Sequence, residues 1–168
     1  MDGFAQNLFD ALSGLGPQIA VLLISMVPIV ELRLAIPIGC IAGLPFWQCF
    51  LLACIGNLLP VPIIYYLLRP IFAWLKRTRL FRNVTEKLER KILSQSEKVT
   101  RYEMLGLVLF VGIPLPGTGA WTGTGVAALL ELKPKKTFIS VVLGVLLAGL
   151  IVSFVSYGVS GIISIFAR

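Results

Sequence analysis

Three stretches of this chain, residues 34–68, 104–130 and 137–167, contain no charged residue at all. Each exceeds the ~20 apolar residues that carry a helix across a bilayer core. A chain punctuated in this way reads as an integral membrane protein, and both a water-soluble enzyme and a disordered tail are excluded. The whole chain has 168 residues, 57% hydrophobic and 14% charged, where a soluble domain carries about a quarter charged. About four to six short membrane segments would use its full length, so a single membrane domain, 1–168, is expected.

The side-chain inventory narrows the chemistry. There is no histidine, which removes a Ser-His-Asp triad, a His-ligated zinc and an imidazole shuttle. Cys40, Cys49 and Cys54 lie in apolar sequence without Cys-x-x-Cys spacing, and they read as small core residues, with no metal and no cofactor expected. The net charge of +7 is concentrated in residues 69–103, where ten Lys or Arg face four Glu. Because that run lies between membrane segments, cytoplasmic orientation and anionic lipid headgroups explain it better than nucleic acid does. Asp2 and Asp10 stand where a cleavable signal would need positive charge, so no signal peptide is expected.

Along the chain, residues 1–15 suit a short amphipathic helix at the interface, with Phe4, Leu8, Phe9 and Leu12 on one side. An apolar run then starts at Pro17 and is interrupted at Pro28, followed by Glu31 and Arg33. The uncharged run 34–68 would be ~52 Å long as one helix, too long for a ~30 Å core, and so must break near Gly39, Gly43 and Pro45. Residues 46–68 then read as a spanning helix, softened by Asn57, Pro60 and Pro62. Within the connector, Asn83 and Glu86 have capping-box spacing, and Leu88, Ile92, Val99 and Tyr102 form an apolar stripe. That helix either lies on headgroups through Arg82, Lys87, Arg90 and Lys91 or forms a pairing face in a homodimer.

Residues 112–119 hold five glycines or prolines and cannot form a continuous helix, while lipid does not tolerate bare irregular backbone. The segment is therefore read as re-entrant. Charge parity agrees, because the basic run 69–103 precedes it and Lys133, Lys135 and Lys136 follow it, putting both flanks in the cytoplasm. Residues 140–160 then cross outward. If the segment around Glu31 is also re-entrant it enters from the outer face, giving two inverted-topology halves, 17–68 and 104–168. Each half is a re-entrant helical hairpin plus a spanning helix, with the basic connector and its amphipathic cytoplasmic helix between them. A thin internal match, Phe50 and Gly56 against Phe138 and Gly144, both six apart, points the same way, and paired inverted units are a common way to build a transporter.

Glu31 and Arg33 are the only charges between Asp10 and Arg69. Ionisable groups inside membrane segments generally pair or line an ion or substrate path; the alternative is that both sit at the mouth of an ordinary span. On a helix two residues so spaced diverge, so a direct pair would require unwinding there, and otherwise their partners come from the second half. Gly117, Thr118, Gly119 and Thr122 offer backbone N–H groups and hydroxyls, and a helix starting after Gly119 would aim its positive end at an anion or at Glu31. The competing reading is a tight turn that only closes the hairpin. Trp121 is an interfacial anchor or a wall of the site, and Asn57 a packing hydrogen bonder or a cavity contact.

Three motifs, Glu31-Leu32-Arg33-Leu34-Ala35-Ile36-Pro37-Ile38-Gly39, Gly56-Asn57-Leu58-Leu59-Pro60-Val61-Pro62 and Ile113-Pro114-Leu115-Pro116-Gly117-Thr118-Gly119-Ala120-Trp121-Thr122-Gly123, together resemble the bacterial small multidrug export protein family, distantly related to DedA-type membrane proteins. The resemblance implies a bacterial plasma-membrane protein with two re-entrant elements, and site residues that include Pro37, Gly39, Pro114 and Pro116. DedA-type relatives are associated with proton-dependent transport and with flipping of lipid phosphates or lipid scrambling, and Glu31 and Arg33 look like the acidic and basic residues of their first motif. Residues 112–123 carry no charge where DedA proteins carry arginine, which favours a less anionic or cationic amphiphile. The expectation is an ion-coupled translocator of amphiphilic small molecules or lipid headgroups, not an enzyme. Passive lipid scrambling, lipid-phosphate flipping and a non-transporting membrane scaffold are the other readings.

Overall fold

The computed structural model describes Gly14 and residues 16–75 and 98–166, which fold into seven helices with no strand among them. In chain order they are α1 (Pro17–Met26), α2 (Glu31–Ile41), α3 (Phe46–Leu58), α4 (Val61–Leu75), α5 (Lys98–Gly112), α6 (Ala120–Leu129) and α7 (Pro134–Phe166). The interfacial helix expected before residue 16 and most of the connector, with Arg82, Lys87, Arg90 and Lys91, lie outside the described residues.

Proline and glycine set the boundaries. Pro17 and Pro134 occupy first helical positions, where the missing N–H is an orphan anyway and the fixed φ is already helical. Pro60 and Pro62 deprive the chain of two donors, so α3 and α4 are separated only by Leu59 and Pro60 and follow one path. Leu59 bonds back to Ile55 and Ile64 bonds back to Pro60, so hydrogen bonding resumes on both sides of the break. Two helices are long and apolar enough to cross a membrane, Phe46–Ile71 and Pro134–Gly161. The first extends beyond the expected residue 68, and α5 begins at Lys98, inside the basic connector. Neither extension is surprising, because a helix ends where its backbone is interrupted and not where charge begins.

The two long paths run antiparallel. Phe46 packs on Phe154 and Tyr157, the Cys54 thiol faces the Val145 carbonyl, and Tyr65 packs on Phe138. Their outward sides carry exposed Trp47, Leu51, Ile63, Leu143 and Phe154, an arrangement costly in water and suited to lipid.

Each short pair of helices folds as a hairpin against one long path. α1 lies on α3, and α5 lies on α7. Glycine permits both approaches: a Cβ at Gly56 would stand 2.3 Å from the Leu22 carbonyl oxygen, and one at Gly144 would stand 2.9 Å from that of Val108. The return helix of each hairpin packs across to the other path, α2 on α7 and α6 on α4.

Both turns lie partway along the long helices. Gly56, against the end of α1, stands ten residues into the Phe46–Ile71 segment, and Gly112, at the end of α5, packs on Leu147, halfway along Pro134–Gly161. The loops that interrupt the two hairpins therefore meet in the interior of the bundle.

Candidate functional site

A broken hairpin leaves polar ends. The last carbonyls of its first helix and the first N–H groups of its second lack intrahelical partners, and they carry the negative and positive ends of the helix dipoles. Here each hairpin satisfies the broken ends of the other.

Glu31 is the first residue of α2 and 4% exposed. Its Oε1 accepts the Trp121 amide N–H at 3.1 Å, and the Ala120 amide bonds to the same carboxylate. Gly119, the N-cap of α6, makes no side-chain cap bond, so a carboxylate from the other half of the chain acts as the cap. Gly119 has φ +133°, and a Cβ there would lie 2.1 Å from Glu31 Oε2. Only glycine gives the carboxylate this approach.

Arg33 is half-buried. Its guanidinium donates to the Leu115 carbonyl and, at 2.7 Å, to Thr118 Oγ1. The Thr118 hydroxyl also lies 2.9 Å from the Ile113 carbonyl and 2.8 Å from that of Leu115, and it accepts the Leu115 N–H at 3.3 Å. The cation thus stands just past the negative end of α5, as the anion stands at the positive end of α6. Glu31 and Arg33 each take their partners from the second half of the chain.

The return contact comes from Trp121. Its indole N–H donates to the Met26 carbonyl at 3.2 Å, at the C-terminal end of α1. Trp121→Phe keeps an aromatic ring but removes this donor and part of the indole, and should lower stability by at least about 1 kcal/mol; the apparent Tm of detergent-solubilised protein reads the change.

Holding these groups strains the chain. Ile29 and Glu31 have φ of 75° and 49°, a region that β-branched residues in particular avoid. Strain of this kind persists only where surrounding contacts over-determine it, and it clusters at functional sites.

The remaining candidates are dispersed around this centre. Gly117 (φ +81°) and Pro116 are exposed on the loop, and Pro114 is half-buried. Thr122 is exposed, with its hydroxyl 3.4 Å from the Gly119 carbonyl. Asn57 is 1% exposed, and its Oδ1 has no hydrogen-bond partner. Gly39 lies further along α2, where a Cβ would meet Cys49, Val21 and Leu44, and it serves the packing of the first hairpin. Pro37 lines an open groove of about 380 Å³ between α2 and α7, with Cys40, Ile41, Val155 and Ser156. Arg33, Pro37, Cys40 and Ile41 fall at i, i+4, i+7 and i+8 on α2, on one helical face. The groove therefore opens in line with Arg33.

The groups that sequence reasoning missed are main-chain ones, the carbonyls of Met26 and Leu115, which carry no residue signature. Thr124, Thr137 and Ser140, all fully buried, were also passed over. Their signal was a hydroxyl inside an uncharged run. Among the described residues no group of three His, Cys, Asp or Glu could hold a metal ion.

No curated protein and no solved structure matches the chain. A family model described as "Putative small multi-drug export protein" matches residues 31–151, a stretch that begins at Glu31 and contains Arg33, the second hairpin's loop and Trp121. The chain is thus a member of the small multi-drug export protein family.

Proposed function

We propose that this protein is an ion-coupled exporter of amphiphilic small molecules in the bacterial inner membrane, with its basic connector in the cytoplasm. In this reading the two hairpins are re-entrant, entering from opposite faces and meeting between the two spanning helices. Three observations support the inverted arrangement: the hairpin turns abut the interiors of the two long helices, each return helix crosses to the other half, and Gly56 and Gly144 play matching parts.

The observation that carries the functional reading is the reciprocal capping across the meeting point. A bond from a backbone N–H to an ionised carboxylate is about twice as strong as one between neutral groups. Protonating Glu31 weakens its hold on the N-terminus of α6 and lets the second hairpin shift against the first. An ion-driven change in the contact between two half-spanning elements is the step that alternating exposure requires. Arg33 shares a face of α2 with the groove residues Pro37, Cys40 and Ile41 and holds the loop after α5 in place.

The test is movement of a cationic dye and of fluorescent lipids in proteoliposomes, with and without an imposed pH gradient. Wild-type protein should move the dye only with the gradient, and Glu31→Gln should lower that rate at least tenfold. The substitution preserves shape, and its amide oxygen still accepts the Trp121 N–H, so the fold should survive. Gradient-independent lipid equilibration, equal in both proteins, overturns the proposal in favour of passive scrambling; no movement of either probe overturns it in favour of a scaffold.

A further inference from the structure

Among the described residues five buried side-chain polar atoms lack any hydrogen-bond partner: Asn57 Oδ1, Thr124 Oγ1, Thr137 Oγ1, Ser140 Oγ and Ser153 Oγ. All five residues are at most 1% exposed. A helical hydroxyl can turn to a carbonyl of the preceding turn, and Ser25 does so, bonding to the Leu22 carbonyl at 2.7 Å. The others do not, and an amide oxygen such as Asn57 Oδ1 has no such recourse. Buried polar groups without protein partners are the usual places where ordered water or an ion is held.

Four of the five lie on one side of the Glu31 centre. Asn57 is one helical turn beyond Cys54, which faces the Val145 carbonyl. The antiparallel register therefore sets it near the level of Ser140 and Val141, and its direction falls between Cys54, which faces α7, and Gly56, which faces α1. Thr124 is one turn beyond Ala120, whose amide meets Glu31. On α6, Gly123 faces Val111 and Leu107 of α5 and Gly125 faces Leu68 of α4. At 100° per residue Thr124 points midway between those two helices, into the bundle, where α7 also packs on α6. Thr137 and Ser140 are one and two turns into α7 from Pro134. In level along the bundle these polar atoms succeed one another from the meeting point to the end where Lys133, Lys135 and Lys136 begin α7, with Thr137 and Ser140 within about 40° of Gly144, on the face of α7 turned to α5. On the opposite side of Glu31 a groove opens between α2 and α7 beside Pro37 and Cys40.

We infer that Asn57, Thr124, Ser140 and Thr137 line a hydrated path that carries the coupling proton between Glu31 and the end of the bundle at which α7 begins. This rests on the coupled-transport reading above. A hydronium in the path gives one proton to a carboxylate oxygen of Glu31, leaving water and a neutral carboxylic acid, and the return step reverses it. Arg33 is the only charged residue of α2 besides Glu31; α4 carries Arg69 alone, α1, α3 and α6 carry none, nor do α5 beyond Glu103 and α7 beyond Lys136. Between Glu31 and the level of Glu103 on α5 the helices add no second carboxylate, so over that distance the path can conduct through neutral hydroxyls and water.

The experiment uses the full-length protein in proteoliposomes, with Cys40, Cys49 and Cys54 replaced by alanine and single cysteines placed at positions 124, 137 and 145. Silver ion, small enough for a narrow water path, is added on the side of Lys133, and the thiols it has spared are then counted with a maleimide dye after denaturation. Thr124→Cys and Thr137→Cys should react at least tenfold faster than Val145→Cys, a buried apolar position on α7. Equal rates overturn the path. In parallel, the isosteric Thr124→Val should slow gradient-driven dye movement at least tenfold, with Thr124→Ser retaining it; a wild-type rate in Thr124→Val overturns the proton role. Coupled movement with unreactive cysteines removes the path and keeps the transport reading. Reactive cysteines in a protein that shows no gradient-driven movement keep the path and remove the transport reading.

Discussion

Gly119→Ala should destabilise the protein by about 3 kcal/mol and abolish gradient-driven transport. Two costs add. At φ +133° an L side chain is strained whatever the space, and the added Cβ would overlap the Glu31 carboxylate at 2.1–2.7 Å. Relief requires Glu31 to move away from the Trp121 amide, which leaves the first turn of α6 without its cap. Gly117→Ala is the comparison. Gly117 also has positive φ, but a Cβ there meets nothing within 4 Å, so its cost is the conformational strain alone, about 1 kcal/mol. Apparent Tm in detergent and dye movement in proteoliposomes should both separate the two variants. Equal effects would mean that Glu31 and Gly119 are not in contact in the membrane.

Gly56→Ala should be damaging for a different reason. Its φ is ordinary, but the new methyl would stand 2.0 Å from Ser25 Oγ and 2.3 Å from the Leu22 carbonyl oxygen. Ser25 can rotate; a backbone carbonyl cannot, so α1 must separate from α3 along their contact. About 3 kcal/mol of stability is at stake, and because α1 carries the Met26 carbonyl to Trp121, the site should loosen with it. Gly106→Ala is the opposite case, since Gly106 is helical with nothing within 4 Å of its Cβ position. It should be neutral or raise stability by up to about 1 kcal/mol. Thermal unfolding of the two variants side by side checks the contrast; equal midpoints would refute the close packing of α1 on α3.

Much of the scaffold is legible in residue order because it depends on local chemistry. Uncharged runs mark the two long helices to within a few residues, and Pro28, Pro60 and the cluster from Pro114 to Gly119 mark the places where helix stops. The possibility that α6 begins after Gly119 and points its positive end at Glu31 also follows from local rules, since helix starts and dipoles do. What does not follow is which partner ends a search among many. Arg33 meets a main-chain carbonyl, a group every residue has. Pro37 and Gly39 adjoin Arg33 in sequence, but along α2 they fall one turn or more away, where helical rise and rotation direct them to a groove and to a packing contact. Thr124, Thr137 and Ser140 are polar letters in apolar text, and only the folded geometry distinguishes a hydroxyl without a partner from one that, like Ser25, bonds its own helix.

The five bonds that join the hairpins, two to the Glu31 carboxylate, two from Arg33 and one from the Trp121 indole, connect residues 82 to 95 positions apart. A ribosome therefore delivers Met26, Glu31 and Arg33 to the membrane long before their partners exist, and until then the first half holds a carboxylate, a guanidinium and an open helix end with nothing of its own to satisfy them. Such a half is an incomplete object in lipid, stable only at an aqueous edge or in the care of the insertion machinery, and its final seating must wait for α6. Assembly is then a late, all-or-none docking of two inserted pieces, in keeping with the slow closure of non-local contacts. Damage to either loop would surface first as protein that is made and inserted but cleared before it works.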